Sequence, residues 1–159
     1  MEKVAIFVDV QNIYYTVKEK YRRHFNYSTF WNFITAGRQV TAAYAYAIDR
    51  GDEKQRQFQQ ILQDIGFVVK LKPYIQRRDG STKGDWDVGI TVDMLEYAHD
   101  ADVIILASGD GDFDIVVRKI IEKYDTRVEV FGVPQLTAAL LIESASIYHP
   151  IDENFLMMQ

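Results

Sequence analysis

Short apolar runs that read as buried strands recur along the chain, each followed by a segment with helical spacing, and this alternation constrains the fold more than any other feature. Val4-Ala-Ile-Phe-Val and Val103-Ile-Ile-Leu-Ala are too short for helices and lack the polar alternation of a half-exposed strand. Both are therefore expected inside a sheet covered on its two faces. Residues 3–9, 39–48, 67–74, 103–107 and 127–132 read as five strands, and Lys70 and Lys72 mark the third as an edge half open to water. Helices are expected at 12–23, 28–36, 53–65, 87–99, 112–124 and 135–143. The sets Phe58, Ile61, Leu62 and Ile65, then Val88, Val92 and Leu95, then Val116, Val117, Ile120 and Ile121 each define a face expected to pack on the sheet. Strands alternating with helices imply right-handed crossovers and a parallel sheet between two helical layers, an α/β chain folded as a three-layer sandwich.

A chain of 159 residues supports one well-buried core, so residues 1–159 are expected to form a single domain with 150–159 as a C-terminal tail or docking segment. Phe155-Leu-Met-Met either docks on a partner, as in a homo-oligomer, or folds back on its own core. The absence of cysteine excludes disulfides and thiolate zinc sites. No apolar run approaches a membrane span and the N-terminus enters a strand directly, so no membrane is expected and a cytoplasmic location is the simplest reading. A net charge of −5 argues against coating of nucleic acid through bulk positive charge, but not against a local basic rim. Lys70, Lys72, Arg77, Arg78 and Lys83 form one such run, and Lys18, Lys20, Arg22 and Arg23 another.

The aspartates carry the chemistry. Asp9 ends the first strand, and Ser108-Gly-Asp-Gly-Asp-Phe-Asp places Asp110, Asp112 and Asp114 just after the fourth. An open parallel sheet binds ligands at the carboxyl ends of its strands, where strand order switches direction. If the first and fourth strands are central neighbours, aspartates a hundred residues apart meet in that crevice. Converging carboxylates repel one another and raise each other's pKa, so a divalent cation is the natural neutraliser. Asp9 or Asn12 is expected to cap the following helix. The two glycines of the 108–114 motif permit a tight turn with backbone close to a ligand. A calcium loop is excluded, because its required Gly and Glu positions hold Ile115 and Ile121. Lys83-Gly-Asp-Trp-Asp-Val opens a helix that Asp85 or Asp87 is expected to cap, leaving the other free for the metal. Asp87 ranks as the ligand and Asp93, roughly 120° around the helix, as a supporting residue. The three histidines, His24, His99 and His149, stand outside every motif and are expected to be structural or exposed. A cluster of oxygen donors without histidine suits one or two Mg²⁺ or Mn²⁺ ions and phosphoryl transfer. An aspartate-nucleophile phosphatase would need a second Asp where Gln11 stands.

Phe7-Val-Asp-Val-Gln-Asn, Lys83-Gly-Asp-Trp-Asp-Val-Gly-Ile-Thr-Val-Asp, Ser108-Gly-Asp-Gly-Asp-Phe and Val130-Phe-Gly, in this order, resemble the NYN domain family of the PIN-like nuclease superfamily, in particular its LabA-like (DUF88) branch. The resemblance implies a PIN-like α/β/α sandwich with sheet order 3-2-1-4-5 and a metal-dependent ribonuclease site. Carried over by position, Asp9, Asp87, Asp110 and Asp112 look like the acidic, metal-binding catalytic set, with Asn12 beside it and Asp93 as a further recurrent aspartate. Asp112 and Asp114 remain rivals for one ligand place. Asp85 and Ser108 are expected in supporting roles.

Two functions follow as expectations. One is an endoribonuclease using Mg²⁺ or Mn²⁺, with Arg77, Arg78 and Lys83 holding phosphates and Tyr14, Tyr15 and Trp86 stacking on unpaired bases of a single-stranded or partly unpaired RNA. The other is a non-catalytic module of the same fold that binds RNA or a nucleotide. Fold resemblance alone does not decide between them.

Overall fold

The computed structural model describes residues 1–73, 75–76, 82–83 and 85–158. The chain runs β1 (Glu2–Asp9), α1 (Val10–Tyr21), α2 (Tyr27–Thr35), β2 (Arg38–Asp49), α3 (Glu53–Ile65), β3 (Val68–Pro73), the two-residue strands β4 (Ile75–Gln76) and β5 (Thr82–Lys83), α4 (Asp87–Ala98), β6 (Val103–Ala107), α5 (Asp114–Tyr124), β7 (Arg127–Gly132), α6 (Ala139–Ser144) and β8 (Ile147–Pro150). The main sheet is parallel throughout, in the order β3-β2-β1-β6-β7-β8. β1 and β6 are the central neighbours, and connections leave them in opposite directions, which makes their carboxyl ends the switch point. Every residue of β6 is buried, as its uninterrupted apolar run requires.

One core lies between the sheet and α1, α2 and α3, with Ile6, Val8, Ile13, Phe30, Leu62 and Ile105 among its members. The second lies beneath α4, α5 and α6, where Phe7, Tyr46, Ile90, Met94, Leu106 and Phe113 meet. Alternate residues of β1 supply the two cores in turn, so Asp9 continues the row of Ala5 and Phe7 on the α4 side.

Three expectations are corrected, and a fourth, left open between two outcomes, is resolved. The sheet has a sixth strand, β8, at its far edge; its four residues include none that is fully buried, so no apolar run announces it. Second, α4 packs through Ile90, Met94 and Ala98, while Val88 and Val92 are 74% and 54% exposed. The helix carries apolar side chains on two faces, and periodicity alone does not choose between them. Third, the last helix starts at Ala139 rather than 135, because Gln135 takes a positive φ of 72° and Ala138 donates its N–H to the Gly109 carbonyl at 3.0 Å. Fourth, the C-terminus folds back on its own core: Phe155 and Leu156 are buried, Leu156 bridges to Phe25, and the Phe155 carbonyl accepts from the Asn26 N–H at 2.7 Å. Among the described residues no helix is long and apolar enough to cross a membrane.

The 135–138 segment also explains the first glycine of the 108–114 motif. A Cβ on Gly109 would stand 2.6 Å from the Leu136 carbonyl oxygen and one on Gly111 2.8 Å from the Ala138 Cβ. Both glycines are therefore filled in by the protein's own chain rather than kept clear for a ligand. Gly109→Ala is expected to cost on the order of 2 kcal/mol by forcing backbone apart. A urea titration checks this, and an unchanged midpoint would show that the loop yields freely.

Candidate metal centre

Asp9 leaves the end of β1 on the α4 side and caps α1, accepting the Asn12 N–H at 3.3 Å. The same carboxylate accepts the Ser108 hydroxyl at 3.2 Å, and Ser108 Oγ accepts the Asp110 N–H at 3.2 Å. Asn12 Oδ1 in turn accepts the Gly109 N–H at 2.9 Å. These bonds tie the ends of β1 and β6 together. Capping thus falls to Asp9, while Asn12 spans the crevice.

Asp110 caps the 3-10 turn Gly111–Phe113 through the Asp112 N–H at 2.9 Å, which fixes its carboxylate at the strand end with one oxygen left over. The expected cap of α4 by Asp85 or Asp87 is not made. The capping position falls to Trp86, which makes no side-chain cap bond, so the Asp87 carboxylate is not consumed by its own helix. The Trp86 indole instead donates to the Ala47 carbonyl at 2.8 Å and packs against Tyr46, with the Lys72 ammonium 4.5 Å from a ring centroid. Trp86 is a packing residue here, not an open stacking platform.

Asp87, Asp110 and Asp112 each offer one carboxylate oxygen within 4.8 Å of the others. Two separate chain segments supply them, the start of α4 and the turn after β6. Among the described residues none of the ion pairs reaches Asp9, Asp87, Asp110 or Asp112. The electrostatic consequence is strong. Burial pushes Asp9 up to about 6, with the charges of Asp110 and Asp85 adding to the shift and the Asn12 and Ser108 bonds opposing it. Asp87 rises to about 7, first through desolvation and then through the charge of Asp110 and a hydrogen bond shared with it. Among the described residues, nothing cationic offsets these carboxylates.

The remaining candidates lie elsewhere. Asp114, on the first turn of α5, faces Arg118 at 3.6 Å and does not join the three. Asp93 holds the Lys70 ammonium at 2.6 Å and the Tyr46 hydroxyl at 2.7 Å, so it braces α4 against β2 and β3 from behind the cluster. Asp85 is exposed, and its carbonyl accepts from Lys72. Tyr14 is 42% exposed on α1, stacked on His24 and edge-on to Tyr15. Lys83 belongs to β5, whereas Arg77 and Arg78 lie outside the described residues. Sequence reasoning missed Lys70 and Tyr46 as partners of Asp93; their signal is a lysine on an edge strand beside a helix that carries a spare aspartate.

Comparison with known proteins places this geometry in a family. Over 160 residues the chain is 26% identical to the low amplitude and bright protein LabA of Synechococcus elongatus, covering 96% of this chain and 84% of that protein. Its structure superposes with a TM-score of 0.94 on the crystal structure of VPA0982 from Vibrio parahaemolyticus, described as a protein of unknown function, at 56% identity over 98% of this chain and 96% of that one. The NYN domain matches residues 3–152. NYN and PIN-like proteins are typically metal-dependent nucleases that use divalent ions, and the NYN family is associated with RNA binding. With that match across nearly its whole length, and an acidic cluster at the switch point of a parallel sheet, this chain belongs to the NYN domain family.

Proposed function

We propose that the protein is a divalent-metal-dependent endoribonuclease that hydrolyses RNA phosphodiesters at the switch point between β1 and β6. The observation that carries this reading is the set of three carboxylates from two chain segments, drawn within 4.8 Å with no cationic side chain on them among the described residues. Asp87, Asp110 and Asp112 would hold a Mg²⁺ or Mn²⁺ ion, since an all-oxygen, multiply charged donor set suits hard cations. Bound there, the ion would supply a more acidic water and neutralise charge on the phosphoryl group and the leaving oxygen.

The protein's part is positional. Asp110 is locked by its turn, Asp87 stands at a helix start without capping it, and Asp9 is bonded to the end of β6 through Ser108. Asn12 holds the two strand ends at fixed separation. Asp9 and Asp87, both shifted upward, are the groups expected to ionise fully only when a cation arrives.

The test is a pair of neutralising substitutions assayed on labelled single-stranded RNA with Mn²⁺. Asp112→Asn is expected to lose at least about tenfold in rate, and Asp114→Asn, outside the cluster, to stay within about twofold of the parent. Metal binding without any cleavage, across a panel of RNAs, would favour the non-catalytic RNA-binding module instead.

A further inference from the structure

We propose that the groove bounded by α1, the start of α2 and α3 takes the unpaired bases of the nucleic-acid strand whose phosphate lies at the carboxylates. This rests on, and deepens, the phosphodiesterase reading. The groove encloses about 1040 Å³, at or beyond the upper end of small-molecule sites, roughly 300–1,000 Å³, which suits an extended ligand.

Three independent features select the occupant. The first is the lining: Phe25 and Tyr27 form a buried aromatic floor, with Phe58 5.6 Å from Tyr27 between ring centroids, while Tyr14 and Tyr15 stand exposed at the wall. Exposed rings held by neighbours, Tyr14 by His24 and Tyr15 by Tyr14 at 5.3 Å, are pre-arranged faces for bases drawn out of a stack. A duplex hides those base faces, so the recess favours unpaired strands.

The second is charge. Lys18 and Lys54 line the groove in a chain of net charge −5, and the Lys18 ammonium sits 5.5 Å from the Tyr14 ring centroid, beside a stacking face. The acidic residue in the lining, Asp52, is engaged in capping α3 through the Gln55 N–H at 2.8 Å. An anion meets the amines with that carboxylate already bonded.

The third is continuity. Val10 and Gln11 line the groove and directly follow Asp9. Ala47 lines it too, and its carbonyl receives the indole N–H of Trp86, the residue before Asp87. The groove therefore begins at the residues that follow Asp9 and at the end of β2 on which Trp86, the neighbour of Asp87, is anchored, so a strand engaged at the carboxylates can continue into it.

The experiment is fluorescence anisotropy on the wild-type protein in EDTA, with a labelled 12-nucleotide single-stranded RNA, the DNA of the same sequence and the blunt RNA duplex, at fixed salt. Either single strand is expected to bind more tightly than the duplex. Tyr15→Ala and Lys18→Glu are each expected to weaken single-strand binding about tenfold. Both positions are on the exposed face of α1, and an unchanged thermal midpoint with an unchanged Mn²⁺ response confirms that the fold and the metal site are retained. The proposal is overturned if the variants bind as the parent does, or if the duplex binds equally well. It is also overturned if Ile61→Glu, in the groove wall, dissociates a dimer in sedimentation while RNA affinity stays constant, since the groove would then serve a second copy of the chain. Weakened binding by the groove variants in a protein that cuts nothing would sink the nuclease reading and leave the groove assignment standing; normal cleavage by those variants would do the reverse.

Discussion

Asp110→Asn is expected to abolish divalent-metal-dependent RNA cleavage while making the metal-free protein more stable. The two effects share one cause. Asp110 is the carboxylate whose charge raises both Asp87 and Asp9, and it is one of the three whose oxygens converge. Asparagine keeps the oxygen that accepts the Asp112 N–H, so the turn after β6 survives. Removing the negative charge relieves repulsion worth on the order of 1 kcal/mol at neutral pH, and the midpoint in EDTA should rise. A ligand lost from the metal set costs several kcal/mol of transition-state stabilisation, so cleavage should fall by at least about 100-fold. The increase in thermal midpoint on adding Mn²⁺ should shrink with it, because selective binding to the folded state is what produces that increase. Activity retained by the variant at matched purity would remove the cluster from the chemistry. A metal-free midpoint that falls would show that Asp110 serves the fold and not the ion.

How far the sequence reaches depends on whether one local rule decides. β1 and β6 are readable because five consecutive apolar residues have no other compact use, and the aspartates that end them follow from topology. The orientation of α4 is not readable, since Val88 and Val92 compete with Ile90 and Met94 as the buried face, and tertiary packing decides. The same holds for capping: Asp85 and Asp87 both suit an N-cap by type, yet Trp86 takes the position because its indole reaches Ala47 on β2. The choice between Asp112 and Asp114 turns on two residues of register. The 3-10 turn puts Asp112 beside Asp110, and α5 then carries Asp114 toward Arg118. The groove is not readable because its lining comes from α1, α2, α3, the end of β2 and Met157 of the C-terminal fold-back, segments that only the tertiary fold brings together.

The metal-free protein is expected to lose stability as pH rises from about 4 to about 7, the opposite of the usual behaviour of paired carboxylates. Asp9 and Asp87 have folded-state pKa values of about 6 and about 7, above the ordinary 3.8 that they regain on unfolding. Between those values the folded state keeps a proton that the unfolded state has released. Stability from this source is therefore full below about pH 4 and is withdrawn as pH climbs through about 6 to about 7. For Asp9, which is buried, the displacement corresponds to on the order of 3 kcal/mol; Asp87 is more open to solvent and acts in the same direction. Protons and a divalent ion compete directly at Asp87, and an ion there would also offset the Asp110 charge that helps raise Asp9, so saturating Mn²⁺ should restore stability over that same window and do little at about pH 5. Thermal midpoints measured in EDTA and in Mn²⁺ should run together at low pH and separate above about pH 6. Curves that stay parallel would mean that the raised carboxylates and the metal-binding carboxylates are different groups. With Asp110→Asn the two curves should approach each other across the whole range, because the charge that lifts Asp87 and a ligand for the ion disappear in one substitution.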